Sequence, residues 1–564
     1  MKQPVHRSVK RAFMKDEDGS MVIFGLLLFV LMLTAGGLGV DFMRFEAQRS
    51  RLQSTLDRAV LAAASLDQTL DRKVVVMDYF KKAGLEGAIS MDDIDVIAGL
   101  TASRVDATAQ LEVDATFLRF VGINSMSAPA TGAAEEAASL TEISLVVDVS
   151  GSMTWQSYSG NSKMYELQQA AKKFTSIVLC NPGDVTATEN CVVDNGKVSM
   201  SLIPYSEQVV LGEDVLRHFN VTREHDKRSC VTFYDEDYDS IAVNTTDELQ
   251  RTGYWDPDRG RNDRAYQSNS PCKNNSYRKV TLLEGDVMDM RNAIDDLEGS
   301  GFTSIDLGMK WGAAFLDDAT APVIQGLNAA GTIDDAYDDR PFSYDQRGVE
   351  KVIVLMTDGE NTDQRYLKKG YHGGMAPIWK ANDKGYLSIY DAENERYWWV
   401  TQGKWSDHAY GTGFSEYCRW VYSSNELFDD SASTTRKARR GGGKKNKTWY
   451  CSMESEGSGA YQMPFSDIWK GYTQAWYDQW NFLEDAGGTW GNGTKNDRLD
   501  RICTAAKAED ITVFTIGFEV PSYVQDELRN CATAPAFNFN VNGLNIADAF
   551  ATIAREISKL RLVN

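Results

Sequence analysis

Twenty consecutive residues without a charge, Met21 to Val40 (MVIFGLLLFVLMLTAGGLGV), divide this chain more sharply than any other feature. A helix of that length covers roughly 30 Å, the hydrocarbon thickness of a bilayer, so the stretch reads as a transmembrane helix. Lys2, Arg7, Lys10, Arg11 and Lys15 precede it, and positive charge keeps its side of a span in the cytoplasm. Segment 1–20 is then cytoplasmic, and everything after Asp41 lies on the other side. The alternative is a cleaved signal peptide. That has a shorter apolar core and a small-residue cleavage site close behind, whereas here Asp41, Arg44 and Glu46 follow.

Charge and cysteine placement agree with this division. Of 59 basic and 80 acidic residues, nine and six fall in the first sixty, leaving 50 against 74 in the remainder. A net charge of -21 excludes nucleic acid as a partner, because polyanions are held by clustered Lys and Arg. All eight cysteines, from Cys180 to Cys531, follow the span, and an even number in an exported chain points to disulfides. Sequence neighbours would pair 180 with 191, 230 with 272, 418 with 451 and 503 with 531, but the sequence does not choose among the many pairings. No CxxC occurs, which disfavours a tetrahedral zinc site.

After the span, Leu52, Leu56, Val60 and Ala63 fall on one helical stripe, so the span and this segment are expected to run on as one helix. Residues 73–120 mix short alternating runs with turn residues, giving a small strand-containing unit within 41–124. The small, Ala-rich stretch 125–141 reads as a linker. From 142 to 564 the pattern alternates. Strands are expected at Ile143–Val147, 197–206, 349–359 and 511–518, and helices at 163–179, 287–297, 303–317, 497–510 and 545–562. Strand–helix alternation implies a mostly parallel sheet with helices on both faces, and such sheets bind ligands at the carboxyl ends of their strands.

Three polar clusters sit at such ends. Asp148, Ser150 and Ser152 follow the first strand, Thr303 opens a helix, and Asp358 ends the apolar run VIVLM. Two carboxylates and three hydroxyls, without His or Cys, are hard oxygen donors suited to Mg²⁺, with Mn²⁺ or Ca²⁺ as alternatives. So few carboxylates leave an ion able to accept one more from outside. "DVSGS", Thr303 and "TDG" resemble the metal-ion-dependent adhesion site (MIDAS) of von Willebrand factor type A domains. The resemblance implies a doubly wound, Rossmann-like α/β fold. It implies a divalent cation held by Asp148, Ser150, Ser152, Thr303 and Asp358, and a protein partner whose acidic side chain completes the shell.

The N-terminal stretch from Gly19 to Ala64 is similar to the TadE/TadG-like segment of Flp (tight-adherence) pilus assembly proteins. The C-terminal "LRNCATAPAFNFNVNGLNIADAFATIAREISKLRL" is similar to the end of TadG-type proteins. These resemblances imply a single-pass protein of the bacterial inner membrane with a periplasmic main domain, engaging pilin-like or other components of the apparatus. Type IV prepilins carry a glutamate five residues after the processed glycine. Phe24 stands five residues after Gly19, so an uncleaved assembly factor is expected instead of a polymerised pilin.

The α/β domain is interrupted at about 205–285 and 361–495. The second insertion holds ten of the thirteen tryptophans, among them Trp398, Trp399, Trp476 and Trp480, which either build a core of their own or form a recognition surface. Arg436–Lys447, with seven positive charges and three glycines, reads as an exposed loop. "DEDYDS" at Asp235–Ser240 starts like a calcium loop but has Ser240 and Thr246 where Gly and Glu belong, so it reads as an acidic loop. HExxH, GxSxG and GxxxxGK[ST] are all missing from the sequence, so a hydrolase with a spatially assembled site ranks last. A non-enzymatic, metal-dependent binding component of a pilus-type apparatus ranks first, ahead of a surface adhesin that binds extracellular protein or glycan through the metal and the Trp-rich insertion.

Overall fold

The computed structural model describes residues 18–65, 70–98, 102–137, 140–258, 264–422 and 447–563. The basic residues of segment 1–17 and most of the basic stretch 436–447 lie outside them. The chain divides into two compact units, the first built on residues up to Leu140 together with Asp345–Val349, the second on Thr141–Tyr344 and Glu350–Val563.

In the first unit, helix α1 (Asp18–Ala64) is continuous through 47 residues. From Met21 to Leu33 its large apolar side chains stand exposed on every side, which makes it a candidate membrane anchor. Beyond them the character changes. Asp41 is buried and accepts hydrogen bonds from the amides of Thr116 (3.1 Å), Phe117 (2.6 Å) and Leu118 (2.8 Å). Leu52, Leu56, Val60 and Ala63 then turn one stripe into a core shared with Val76 and Phe80 of α2 (Arg72–Lys82). The sheet under that core is antiparallel, in the order β1 (Ile94–Ala98), β2 (Ala102–Asp114), β3 (Ser125–Ala137).

Strand β3 replaces the expected linker. It pairs with β2 along its whole length, Asp114 opposite Ser125 and Ala102 opposite Ala137. Its small residues serve packing: Ala130 joins Ala107 and Ala109 of β2 in the core with Leu56 of α1. Close helix-on-sheet contact needs small side chains, and these gave the segment the composition of a linker.

The second unit starts with β4 (Leu140–Asp148), α3 (Lys163–Thr175), β5 (Val198–Tyr205), β6 (Thr281–Glu284), α4 (Val287–Asp295), α5 (Ile305–Ala314), α6 (Ala321–Ala329) and β7 (Val349–Thr357). Between β5 and β6 lies the first insertion, mostly turns and loops, tied by Cys230–Cys272.

The second insertion leaves the end of β7 through β8 (Gln364–Leu367). It builds β9 (Met375–Ala381), β10 (Leu387–Asp391), β11 (Arg396–Trp399), β12 (Lys404–Ser406), β13 (Phe414–Tyr422), β14 (Lys447–Ser455) and β15 (Ala460–Pro464), and returns through β16 (Gly487–Trp490). Strand β16 pairs antiparallel with β8, so the insertion is closed at its base. Strands β12, β11, β10, β9 and β15 form one sheet, and β13 and β14 form a separate ribbon bridged by Cys418–Cys451. Trp399, Trp469 and Trp476 are buried within the insertion, and Trp255 from the first insertion joins the same core as Trp469 and Trp476. Trp420, on the ribbon, is exposed.

The chain ends with α7 (Asn492–Ala508), β17 (Thr512–Phe518), α8 (Ser522–Cys531), β18 (Asn538–Val541) and α9 (Asn545–Val563). The central sheet has the order β18-β17-β7-β4-β5-β6. Strands β18 and β17, β17 and β7, and β4 and β5 run parallel, while β6 is antiparallel to β5. This is a parallel-rich α/β sheet. Val146, Ile353 and Val513 face one core with Trp311, Ile502 and Leu528, whereas Leu145, Val354 and Phe514 face another with Leu167, Met290 and Phe550. Burial on both faces explains why β4 and β7 read as unbroken apolar runs. Every residue of α5 is buried. It fits because a Cβ on Gly308 would lie 2.5 Å from the Tyr205 ring and one on Gly312 would lie 2.4 Å from Val146, so the helix rests directly on β5 and β4.

All eight cysteines are paired, as 180–191, 230–272, 418–451 and 503–531, each with its sequence neighbour.

Candidate metal centre

Strand β4 ends on Asp148, whose carboxylate organises the turn that follows. Its Oδ1 accepts from the Ser150 amide (2.7 Å) and its Oδ2 from the Thr357 hydroxyl at the end of β7 (2.9 Å). The turn brings Ser150 Oγ and Ser152 Oγ to 3.0 Å, and Ser152 Oγ donates to Asp358 Oδ1 at 2.7 Å. Four of the five residues expected to bind metal thus form one contiguous cluster, at the carboxyl ends of β4 and β7.

Thr303 is carried by a third loop whose backbone is bonded to both others. The Ser300 amide donates to Val149 O (2.9 Å) and the Gly151 amide to Gly301 O (2.9 Å). On the far side, the Thr303 amide donates to Thr362 Oγ1 (2.8 Å) and the Thr362 amide to Thr303 O (3.0 Å). Asn361 Oδ1 accepts from the Ile305 amide (2.7 Å), which satisfies a donor in the first turn of α5. The buried ammonium of Lys495 spans the junction, donating to Thr303 O (2.6 Å), Ser304 Oγ (2.7 Å) and Thr362 O (2.8 Å). Burial pushes that ammonium down to about 8, against the opposing pull of Asp306.

The cluster gathers two carboxylates largely away from the surface. Asp148, Ser150, Thr303 and Asp358 are all buried. Burial, joined by the charge of Asp358, pushes the Asp148 carboxyl up to about 7, while hydrogen bonds from Ser150 and Thr357 oppose the rise. Burial and the charge of Asp148 hold the phenol of Tyr205, which donates to Met356 O (2.9 Å), well above its usual 10. A cation lies against the second carboxylate: Lys163 Nζ, at the start of α3, is 3.1 Å from Asp358 Oδ2. Of the two buried carboxylates, Asp358 is paired with an ammonium, and hydroxyls bond to both. A hard divalent cation fits this donor set: the carboxylates supply charge and the hydroxyls supply neutral oxygens.

Sequence reasoning missed Lys163, Lys495 and Tyr205. Their partners lie far away in the chain, and no spacing rule connects them. The acidic stretch at Asp235 is a largely exposed loop, as its sequence suggests, and Asp235 Oδ1 also accepts from Arg498 Nε at 2.7 Å. A further group of ligand types, Glu416 with Cys418 and Cys451, involves disulfide sulfurs, which offer no thiolate to a metal.

Comparison with known proteins adds to the N-terminus. Residues 19–66 match the family model described as a putative Flp pilus-assembly TadE/G-like domain. No curated protein matches the chain. Among solved structures, the chain is similar to the vWF domain of the type V pili tip protein Mfa5 from Porphyromonas gingivalis, at 13% identity over 75% of this chain and 97% of that one, with a TM-score of 0.30. It is similar to the pilus adhesin SpaC from Lactobacillus rhamnosus GG, at 12% identity over 83% and 34% of the two chains, with a TM-score of 0.27. It is also similar to proximal thread matrix protein 1 from the mussel byssus, solved with a zinc-occupied MIDAS motif, at 9% identity over 74% and 46%, with a TM-score of 0.24. The chain therefore spans about a third of the second and about half of the third.

Proposed function

We propose that the protein is a membrane-anchored, metal-dependent binding component of a Flp/Tad-type pilus apparatus. Its second unit is a doubly wound α/β domain of the von Willebrand type A kind. Asp148, Ser150, Ser152, Thr303 and Asp358 hold a divalent cation there, Mg²⁺ in the first instance, and an acidic side chain of a pilus-component protein completes its shell. The reading rests above all on the convergence of two buried carboxylates and their hydroxyl neighbours at the carboxyl ends of β4 and β7, where parallel sheets bind ligands. The TadE/G-like segment supplies the apparatus, and α1 supplies a single-pass anchor in the inner membrane with the main domain on the periplasmic side. The bound cation would offer a partner carboxylate a positive charge, while Thr357, Lys163 and the Ser150 amide keep the two aspartates in place.

The test is crosslinking and pull-down from native membranes, with and without chelator, on wild type and Asp148→Ala. A specific envelope partner should be captured by wild type in Mg²⁺ and lost both on chelation and in the variant. Equal capture in all arms would refute a metal-dependent contact.

A further inference from the structure

Immediately beside the Thr303 loop is a cavity of about 540 Å³ whose wall is cationic in a chain that is otherwise strongly acidic. Phe302, the residue before Thr303, lines it together with Lys273, Arg278, Arg365, Glu207 and Asp258. The charges are unequally matched. The carboxylate of Glu207 is taken up by Arg365, whose backbone amide, Nε and Nη2 donate to it at 3.0, 2.9 and 2.6 Å. Asp258 acts electrostatically on Arg365 as well. Among the described residues no carboxylate forms an ion pair with the other two cations.

Arg278 is 3% exposed, yet its guanidinium is held by neutral oxygens, with Nη1 on Ser206 Oγ (2.9 Å) and Nη2 on Ser300 O (2.8 Å), and its Nε has no hydrogen-bond partner among the described residues. Lys273 is half-buried and fixed by the adjacent Cys272–Cys230 disulfide, and it makes no ion pair among the described residues. Burial lowers the Lys273 ammonium, and Arg278 and Arg365 add to the effect, while Glu207 only partly offsets it. A buried guanidinium whose charge is offset only by Glu298, outside hydrogen-bond reach, is costly, and a cavity into which an anion can enter relieves that cost. Arg278 also grips Ser300, whose amide is bonded to Val149 beside Asp148, so the cavity and the metal centre share one loop.

We infer that this cavity is an anion subsite that takes a second carboxylate from the same polypeptide partner, with Lys273 and Arg278 as its cationic ligands and Phe302 at its rim. The inference rests on the proposed metal-dependent contact and makes it a two-point recognition of an acidic segment.

The test uses the full chain in non-ionic detergent and a fluorescein-labelled hexaglutamate peptide, followed by anisotropy in Mg²⁺ and in EDTA. Wild type should bind in Mg²⁺ and more weakly in EDTA. Lys273→Met, with its melting temperature unchanged, should bind about tenfold more weakly in Mg²⁺, and Lys273→Arg should restore binding. Asp148→Asn in Mg²⁺ should resemble wild type in EDTA. Binding by Lys273→Met equal to wild type, or no binding by wild type in Mg²⁺, would overturn the subsite. Binding that ignores EDTA and Asp148→Asn but falls in Lys273→Met would uphold the subsite and refute the metal contact, so the two failures are distinguishable.

Discussion

Replacing Asp148 with Asn should stabilise the metal-free protein at neutral pH and make it unresponsive to metal. In the folded chain the Asp148 carboxyl is pushed from 3.8 to about 7. The folded state therefore holds a proton that the unfolded state has released, and stability falls as pH rises between those two values. At 1.36 kcal/mol per pH unit the loss approaches roughly 4 kcal/mol at pH 8. The substituted amide carries no charge and escapes that loss. It does exchange a carboxylate acceptor for an amide donor toward Thr357, but the Thr357 hydroxyl has a second acceptor, Gly359 O at 3.0 Å, so the exchange costs on the order of 1 kcal/mol. In chelator the variant should be more stable than wild type by about 3 kcal/mol at pH 8, with the gap closing toward pH 4. Saturating Mg²⁺ should then reverse the order of response, adding about 2.7 kcal/mol to wild type at one hundred times Kd and little to the variant. Urea unfolding followed by tryptophan fluorescence between pH 4 and 8 reads both effects. A gap independent of pH would refute the buried-charge argument. Equal Mg²⁺ stabilisation of both proteins would refute the metal assignment.

Other outcomes follow from individual contacts. Lys163→Met should destabilise the metal-free protein by about 3 kcal/mol through the unpaired Asp358. It should also tighten Mn²⁺ binding, followed by electron paramagnetic resonance, by roughly tenfold, because the ammonium no longer competes for Asp358 Oδ2. Lys351 Nζ bonds to buried Glu142 (2.7 Å) and to Leu316 O (2.7 Å). Lys351→Met should therefore lower stability by about 3 to 5 kcal/mol, and adding Glu142→Gln should recover much of the loss, as read from urea midpoints. Unfolded, unreduced protein should show no free thiol with Ellman's reagent. Replacing Cys503 and Cys531, 28 residues apart, with serine should cost about 3.5 kcal/mol in the same unfolding assay.

The residues of the candidate metal centre could be picked out because their motif lies at the ends of the buried strands β4 and β7, whose apolar runs are hard to mistake. The charges that surround them were not. Lys163 meets Asp358 across 195 positions and Lys495 meets Thr303 across 192, distances at which neither periodicity nor spacing carries information. Stretch 125–137 failed differently. Its small residues suggest a linker over 125–141, when a packed helix at Leu56 required them to be small. In the second insertion the strands are only three to nine residues long and aromatic on both faces, so period-two alternation was blurred while the abundance of tryptophan stood out.

Helix α1 has a mechanical side. At 1.5 Å per residue its 47 residues form a rod about 70 Å long. Gly36, Gly37 and Gly39 lie together in that rod, just below the point where Asp41 clamps it to the amides of 116–118. Glycine weakens a helix by about 1 kcal/mol relative to alanine at each position, so the rod bends most easily there. Tilt of the apolar half would be absorbed at this joint, and the half that carries Leu52 and Leu56 would keep its grip on the sheet beneath it.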